Sequence, residues 1–266
     1  MDYLLLILIG LFAGGLGSLV GVGGGFVVIP FLLLFFDYPP AWAVATSLAF
    51  IFVNSLSSSI VYSQQKRIDF KTGIPFAIST IPGAIAGAFI IPYFAERTFD
   101  TAFGLLLIAV SIFMLMRPEG PVKDRTPSWL GPKVTRQFVD AHGVEYNYSF
   151  SIKFGMLLSF GVGFISSLFG IGGGIIHVPA MTLLLGIPPH IATATSMFIL
   201  TISTVVASFA HFTQGNVQLM TALFLALGAI AGGQVGARLA PKIKGPLLMR
   251  IFAGLMFILA LQLLTK

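Results

Sequence analysis

The sequence contains no cysteine and very few charged residues, and both absences exclude whole classes of protein. Without cysteine the chain can form no disulfide, thiolate metal site, iron–sulfur cluster or cysteine nucleophile. Only 9% of its 266 residues are charged, whereas a soluble domain carries about 25%. The chain therefore has too few charged residues to cover the surface of a soluble globular protein. Hydrophobic residues make up 56% of the chain and fall in long runs. This pattern predicts an all-α polytopic membrane protein whose main partner is the lipid bilayer.

The charges that are present lie in short stretches between the apolar runs. The net charge is +6, but no long basic stripe interleaved with aromatic residues occurs. The basic residues are therefore interpreted as determinants of membrane topology, and no nucleic-acid partner is expected. The N-terminal stretch is apolar from its third residue and lacks a basic leader, which favours a retained membrane segment over a signal peptide.

The two halves of the chain repeat one another. With a shift of 149 positions, residues 17–25 (GSLVGVGGG) align with 166–174 (SSLFGIGGG) without a gap. A proline and a Pro-Pro pair follow both stretches at the same spacing, and AVATS at 43–47 matches ATATS at 192–196. So many matches in one frame indicate a duplicated unit. The predicted divisions are a first membrane repeat at 1–116, a polar inter-repeat loop at 117–151 and a second membrane repeat at 152–266.

Each half contains one long apolar stretch broken by glycine, followed by three further apolar segments. Because about 20 helical residues cross the ~30 Å hydrocarbon core, the three further segments are predicted to span the membrane. The loop between the halves is polar, contains four prolines and is interpreted as a solvated linker. The segments are 3–36, 41–62, 72–94 and 98–116 in the first half, and 152–185, 190–212, 217–240 and 246–264 in the second.

The basic loops exchange places between the halves. Loop 63–71 carries three basic residues and its counterpart 212–220 carries none, whereas residues 92–100 carry one and the matching region carries four between 238 and 250. Under the positive-inside rule this favours an inverted repeat. Inversion follows if the broken stretch enters as two partial helices and leaves on the side it entered. If it crosses once, the repeats are parallel.

The two glycine breaks are the best candidates for a binding site. Three consecutive glycines cost helix stability, at roughly 1 kcal/mol each, and exceed what close helix packing requires. A nucleotide-binding loop would need a preceding strand and a distal acidic residue, which are absent. A break exposes backbone N–H groups, and the following half-helix presents a positive dipole end. Two such ends meeting near the midplane are predicted to bind an anion.

A few polar side chains within the spans join the glycines as candidates. Serine and threonine in membrane helices also bond their own backbone, so their role has two interpretations. His177 occurs in the second half only and is either a ligand or proton site or a local hydrogen-bond partner. Arg238 near a span end is interpreted as snorkelling to the interface. No catalytic, cofactor or metal residue is predicted. The substrate-binding candidates are Gly21, Gly23, Gly24, Gly25, Thr46, Ser47, Asn54, Gly170, Gly172, Gly173, Gly174, His177, Thr195, Ser196 and Gln234.

These motifs resemble the TauE/SafE sulfite exporter family, also called the toluene sulfonate uptake permease family. The resemblance rests on GSLVGVGGGFVVIP at 17–30 and SSLFGIGGGIIHVP at 166–179, each followed by PP and ATS, and covers nearly the whole chain except the central loop. It implies transport of sulfite, a sulfonate or another small organosulfur anion across a bacterial or archaeal plasma membrane. It also implies that the breaks at 21–25 and 170–174 face the anion.

The leading hypothesis is a secondary transporter, expected to be an exporter, of a small sulfur-containing anion. The alternatives are a carrier for another anion or a metal ion, an intramembrane serine protease using Ser18 or Ser167 with His177, and a membrane scaffold. The spans lack the carboxylates and thiolates of a metal site, the histidine is not repeated, and a scaffold needs no helix breaks. Outward anion movement gains about 2.3 kcal/mol per 100 mV, whereas uptake needs a coupling proton or sodium ion. Oligomeric state is left open.

Overall fold

The fold consists of ten α-helices and one β-hairpin within the residues that the structure describes. The computed structural model describes residues 3–115, 132–242 and 245–264. The first part of the predicted inter-repeat loop, 117–131, lies outside them. The helices are α1 Tyr3–Val20, α2 Gly25–Phe35, α3 Pro40–Gln64, α4 Phe70–Ile90, α5 Glu96–Leu115, α6 Ile152–Phe169, α7 Gly174–Leu183, α8 Pro189–Thr213, α9 Leu219–Leu239 and α10 Gly245–Leu264, and the strands are β1 Lys133–Val139 and β2 Glu145–Ser151.

The helices of the second half begin 149 residues after their counterparts, from α1 and α6 through to α5 and α10. The counterparts α3 and α8 run antiparallel. The N–H of Asp69, just after α3, donates to Thr195 Oγ1 near the start of α8 at 3.1 Å. The N–H of Gln218, just after α8, donates to Thr46 Oγ1 near the start of α3 at 3.2 Å. Equivalent helices with opposite directions are the arrangement that an inverted repeat requires.

The glycine-broken stretch folds back on itself. A Cβ at Gly24 would lie 2.3 Å from the carbonyl oxygen of Ala13, so the chain returns beside α1 after the break. Helix α2 then leads through a short segment to the start of α3. The two arms differ in length, because α1 has 18 residues and α2 has 11, or about 27 and 16 Å at 1.5 Å per residue. Helix α1 and its counterpart α6 are long and apolar enough to cross a membrane by themselves, whereas α2 and α7 are shorter, so the two partial helices stay a prediction.

Six helices of the described residues are long and apolar enough to cross a membrane: α1, α3, α4, α6, α8 and α9. This confirms the polytopic all-α class. Helices α5 and α10, predicted as spans, have 20 residues each. They pack on one another, and Ser111 Oγ donates to the carbonyl of Ala253 at 2.8 Å.

Residues 133–151 form an antiparallel β-hairpin rather than the solvated linker that the sequence suggested. The hairpin packs where α3 ends and α4 begins. Arg67 forms a buried ion pair with Asp140 at 2.9 Å, and Tyr148 donates its hydroxyl to Asp69 Oδ2 at 2.8 Å. Desolvation alone would raise the pKa of Asp140, but hydrogen bonds from two backbone N–H groups and the guanidinium of Arg67 outweigh it and lower that pKa to about 2. The aromatic face of the hairpin also contacts Phe76 of α4.

Most of the basic residues that the structure describes lie at the end of the bundle that carries the hairpin. Gln65 Nε2 donates to the carbonyl of Ala237 at 3.0 Å, so α3 and α9 end together there. Loop 65–69 and the hairpin meet at the same end through the Arg67–Asp140 pair. The opposite end is marked by Gln214, whose Nε2 donates to the carbonyl of Ala88 at 3.2 Å. Basic residues at the hairpin end include Lys66, Arg67, Lys71, Arg136, Arg238 and Lys242.

Candidate functional site: two glycine breaks in contact

Both breaks have a backbone that only glycine adopts readily. The residues that precede α2 and α7, Gly24 and Gly173, have φ angles of +90° and +78°. The other break glycines Gly21, Gly23, Gly170 and Gly172 also have positive φ. An L-residue with a side chain is strained in this region. The glycine clusters therefore fix the points where the membrane helices stop and restart.

The two breaks touch each other across the boundary between the halves. A Cβ at Gly25 would lie 2.6 Å from the carbonyl oxygen of Gly170, and a Cβ at Gly174 would lie 2.4 Å from the carbonyl oxygen of Gly21. Only the absence of both side chains permits this approach. The first turns of α2 and α7 are thereby brought to one place.

Two serine hydroxyls, one from each half, stabilise this contact by donating hydrogen bonds to it. Ser47 Oγ of α3 donates to the Gly170 carbonyl at 3.0 Å. Its counterpart Ser196 of α8 donates to the Gly21 carbonyl at 2.9 Å. Each half thus supplies a hydroxyl to the break of the other half. The predicted role of these serines in substrate binding stays a prediction.

Apolar side chains close the space between the breaks. A Cβ at Gly23 would lie 2.7 Å from Leu200 Cδ2 and 2.8 Å from Ile51 Cγ2. A Cβ at Gly172 would meet the same two side chains, which are themselves counterparts in the repeat. Both are fully buried. The breaks are therefore shielded from water in this conformation.

The start of each half-helix offers unused hydrogen-bond donors. Within the described part of the chain, the backbone N–H groups of Gly24, Gly25, Gly173 and Gly174 donate to no backbone carbonyl in the turns and loops. The first N–H groups of a helix have no partner within it, and the helix dipole adds a partial positive charge there. No group of three or more His, Asp or Glu side chains occurs among the described residues. The local chemistry favours an acceptor-rich, negatively charged ligand.

Asn54 stabilises the backbone of the first break through hydrogen bonds. Its Nδ2 donates to the Gly23 carbonyl at 3.0 Å, and its Oδ1 accepts from Ser18 Oγ at 3.2 Å. Tyr62 in turn donates its hydroxyl to the Ser18 carbonyl at 2.7 Å. The sequence reasoning included Asn54 but not Ser18 or Tyr62 as parts of this network. The spacing of Asn54, Ser58 and Tyr62 at every fourth residue of α3 was the available signal for Tyr62, whereas Ser18 lies in α1.

Four predicted site residues lie elsewhere. Thr46 and Thr195 accept hydrogen bonds from the N–H groups that precede α9 and α4, so they join helices rather than line the breaks. Gln234 accepts from Arg238 Nη2 at 3.3 Å on an exposed helix face. His177 follows the second break, but its Nε2 bonds Ser159 Oγ at 2.9 Å. This local hydrogen bond is the second of the two interpretations given to that histidine.

The arrangement does not assemble a serine hydrolase site. Ser18 bonds Asn54 and Ser58 rather than a histidine, and His177 bonds Ser159 of its own half. That chemistry needs a nucleophile that is hydrogen-bonded to a base, and an acid that orients the base. Two broken helices meeting within a bundle of membrane helices are typical of a secondary transporter.

Comparison with known proteins places the chain in a family. Residues 6–263 match the family model described as sulfite exporter TauE/SafE, so the chain belongs to this family of membrane transporters and is not an enzyme. A probable membrane transporter protein of Bacillus subtilis, YunE, is 36% identical over all of this chain and 98% of that relative. A probable membrane transporter protein of the archaeon Methanocaldococcus jannaschii is 28% identical over 98% of this chain and 94% of the relative. No solved structure gives a significant match.

Proposed function

We propose that this protein carries a small sulfur-containing anion, such as sulfite or a small sulfonate, across the plasma membrane. The observation that supports this most is the meeting of two half-helix N-termini, where the described N–H groups of Gly24, Gly25, Gly173 and Gly174 donate to no backbone carbonyl in the turns and loops. The description of the family as sulfite exporters supports the same substrate class. The hydroxyls of Ser47 and Ser196 lie beside the breaks, where each donates its one proton to a glycine carbonyl.

The charge balance at the breaks favours a compact anion of low charge. Backbone N–H groups and hydroxyls donate hydrogen bonds, and donors suit an oxyanion better than a cation or a sugar. No lysine or arginine contacts the breaks in the described part of the chain, so a strongly hydrated, highly charged anion would be poorly compensated. A metal ion is disfavoured because the same residues contain no cluster of likely ligands.

Transport requires the closed contact between the breaks to open. The Gly25–Gly170 and Gly174–Gly21 contacts and the side chains of Ile51 and Leu200 now separate the two ends of the bundle. In an inverted repeat, rearranging one half against the other exposes the midplane to each side in turn. The proposed cycle therefore moves the two halves apart at this contact.

The positive-inside rule assigns the hairpin end to the cytoplasm, because it carries most of the basic residues. Outward movement of a monovalent anion then gains about 2.3 kcal/mol per 100 mV and needs no coupling ion. Export is the proposed direction. Uptake would require a co-transported proton or sodium ion.

A ligand panel tests the substrate class. Thermal unfolding of the purified protein in detergent is measured with sulfite, methanesulfonate, sulfate, a divalent metal, a sugar and a zwitterionic amino acid. Sulfite or methanesulfonate is expected to raise the midpoint in a concentration-dependent manner, since a ligand that binds only the folded state stabilises it. Stabilisation by the metal or the amino acid, with no response to a sulfur anion, would contradict the proposal.

A further inference from the structure

The membrane helices pack in two groups, and each group includes a helix from the other half of the chain. Helix α9 lies against α1, where a Cβ at Gly228 would lie 2.0 Å from the carbonyl oxygen of Ile7. Helix α4 lies against α6 in the same way, where a Cβ at Gly83 would lie 2.3 Å from the carbonyl oxygen of Phe160. Glycine lets membrane helices approach backbone to backbone, so no flexible side chain lies between them that could rearrange. Each pair therefore moves as one unit.

Helices α3 and α8 complete the two groups. Ser57 Oγ of α3 donates to the carbonyl of Ile230 in α9 at 3.0 Å. Gln214, just after α8, donates from Nε2 to the carbonyl of Ala88 in α4 at 3.2 Å. The first group is thus α1, α3 and α9, and the second group is α4, α6 and α8. In the proposed cycle, these two groups separate when the contact between the glycine breaks opens.

Two loops carry the chain between the groups, at opposite ends of the bundle. Loop 65–69 runs from α3 to α4 at the hairpin end, and loop 214–218 runs from α8 to α9 at the other end. The loops are counterparts in the repeat, but Asn216 stands in the second loop where the first loop has Arg67, and the second loop has no charged residue. Of these two loops, only the one at the hairpin end can form an ion pair with another element.

The strands of the hairpin are attached to the second group. Strand β2 continues directly into α6. The ring of Phe150 contacts that of Phe76 in α4, with the ring centroids 6.2 Å apart. Phe150 and Tyr148 also belong to a buried apolar cluster that includes Ile191 of α8 and Leu185 after α7. The hairpin therefore moves with the second group.

The tip of the hairpin, by contrast, is bonded to the first group. The N–H of Ala141 donates to the carbonyl of Gln65 at 3.0 Å, and Asp140 pairs with Arg67 at 2.9 Å. Gln65 in turn donates from Nε2 to the carbonyl of Ala237 in α9 at 3.0 Å. The hairpin thus joins the two groups at its end of the bundle.

The ion pair at the tip is suited to opening and closing. Arg67 and Asp140 are each 5% exposed. A buried ion pair adds little net stability over apolar packing, because both charges lose their water, and its best attested use is to specify one arrangement among several. When the tip leaves the loop, both charges regain water, which offsets part of the lost attraction. Contacts of this kind allow an element to switch between two discrete positions.

We propose that the hairpin is a latch on the cytoplasmic side of the transporter. While Asp140 and Ala141 hold loop 65–69, the two groups stay together at the hairpin end, and an anion cannot reach the breaks from the cytoplasm. Release of the tip lets the groups separate there. The inference rests on the proposed function, because it assumes a cycle in which the breaks open to each side in turn. It adds that the hairpin controls the opening to the cytoplasm.

Access from the cytoplasm to a thiol between the breaks measures the latch without any substrate. Ile51 is fully buried against Gly23 and Gly172, and Ile51→Cys gives the chain a single cysteine. Inside-out vesicles are treated with sulfonatoethyl methanethiosulfonate, a membrane-impermeant anion. Asp140→Asn should raise the labelling rate by roughly fivefold or more, because it weakens the tip contact. Glu145→Gln removes an exposed carboxylate of the same hairpin and should leave the rate unchanged.

A cross-link at the tip tests the closed state. Gln65→Cys and Ala141→Cys place thiols on two residues that share a backbone hydrogen bond, and a short bifunctional methanethiosulfonate joins them. The closed latch should slow sulfite transport in proteoliposomes by roughly fivefold or more, and reduction should restore it. The double variant without the reagent and each single-cysteine variant with the reagent are the controls.

Two results would overturn the latch while the proposed function stands. One is sulfite transport by the cross-linked protein as fast as by the reduced protein. The other is unchanged labelling of Ile51→Cys in Asp140→Asn, although trypsin cleaves the released hairpin after Arg136 faster. If labelling rises as expected but the wild type transports no sulfur anion, the proposed substrate fails and the latch stands.

Discussion

Adding a methyl group at either glycine where the two breaks touch should separate the halves. A Cβ at Gly25 would lie 2.6 Å from the Gly170 carbonyl oxygen and 2.5 Å from Ile51 Cδ1, and a Cβ at Gly174 would lie 2.4 Å from the Gly21 carbonyl oxygen. Backbone atoms cannot move aside as a flexible side chain can. Overpacking of this kind costs about 1–3 kcal/mol, which corresponds to a roughly 5- to 150-fold shift in a two-state equilibrium.

The assay compares Gly25→Ala and Gly174→Ala with Gly161→Ala. Gly161 lies in α6 with nothing within 4 Å of an added Cβ, so alanine there should be neutral or stabilising by up to about 1 kcal/mol. The two break variants should unfold at lower temperature and transport at least fivefold more slowly in proteoliposomes. Break variants that unfold and transport like Gly161→Ala would show that the contact between the halves does not matter.

Two further predictions concern topology and the hairpin. Single cysteines at Gln65 and Gln214 should react with an impermeant maleimide from opposite sides of the membrane, and labelling of both from one side would contradict the inverted arrangement. Asp140→Asn should release the hairpin, because breaking one partner of a buried pair costs about 3–5 kcal/mol, and trypsin should then cleave after Arg136 faster than in the wild type. The pKa of Asp140 is lowered to about 2 from about 3.9 in an unfolded chain. The stabilisation is therefore present above about pH 4 and is lost as the pH falls toward 2, which a fluorophore at Gly143 should report; release at pH 5–6 would contradict it.

The glycine and proline pattern was sufficient to predict the place of both breaks, because those residues dictate backbone geometry directly. Positive φ at Gly24 and Gly173 and the proline at the start of α3 act through local sterics. The relative orientation of the two halves was inferred from the positions of the basic residues. The length of α1 could not be inferred, since glycine tracts show where a helix stops but not how far it extends into the membrane.

The sequence could not show which of two neighbouring polar residues contacts a break and which joins two helices. Ser47 and Thr46 are adjacent in α3, yet one bonds the opposite break and the other receives the N–H before α9. Adjacent helical residues point about 100° apart, so only the packing of the bundle decides which of them faces the site. The same applies to Ser196 and Thr195 in the second half.

The hairpin was missed although its signal was present. Strands β1 and β2 have alternating exposure along much of their length and are joined by a short turn that contains Gly143. Such alternation around a glycine turn is the usual sign of a hairpin. The prolines and polar residues of the surrounding segment suggested a solvated linker instead. Its docking through Arg67 depends on a contact between distant parts of the chain.

Transport of a sulfur anion by the purified protein is the most direct test of the central claim. The protein is reconstituted into liposomes loaded with sulfite, and efflux is followed with an inside-negative potential imposed by potassium and valinomycin. We expect protein-dependent sulfite efflux that rises with the potential, needs no proton or sodium gradient and falls at least fivefold in Gly25→Ala. Efflux equal to that of protein-free liposomes for sulfite and methanesulfonate alike would contradict it.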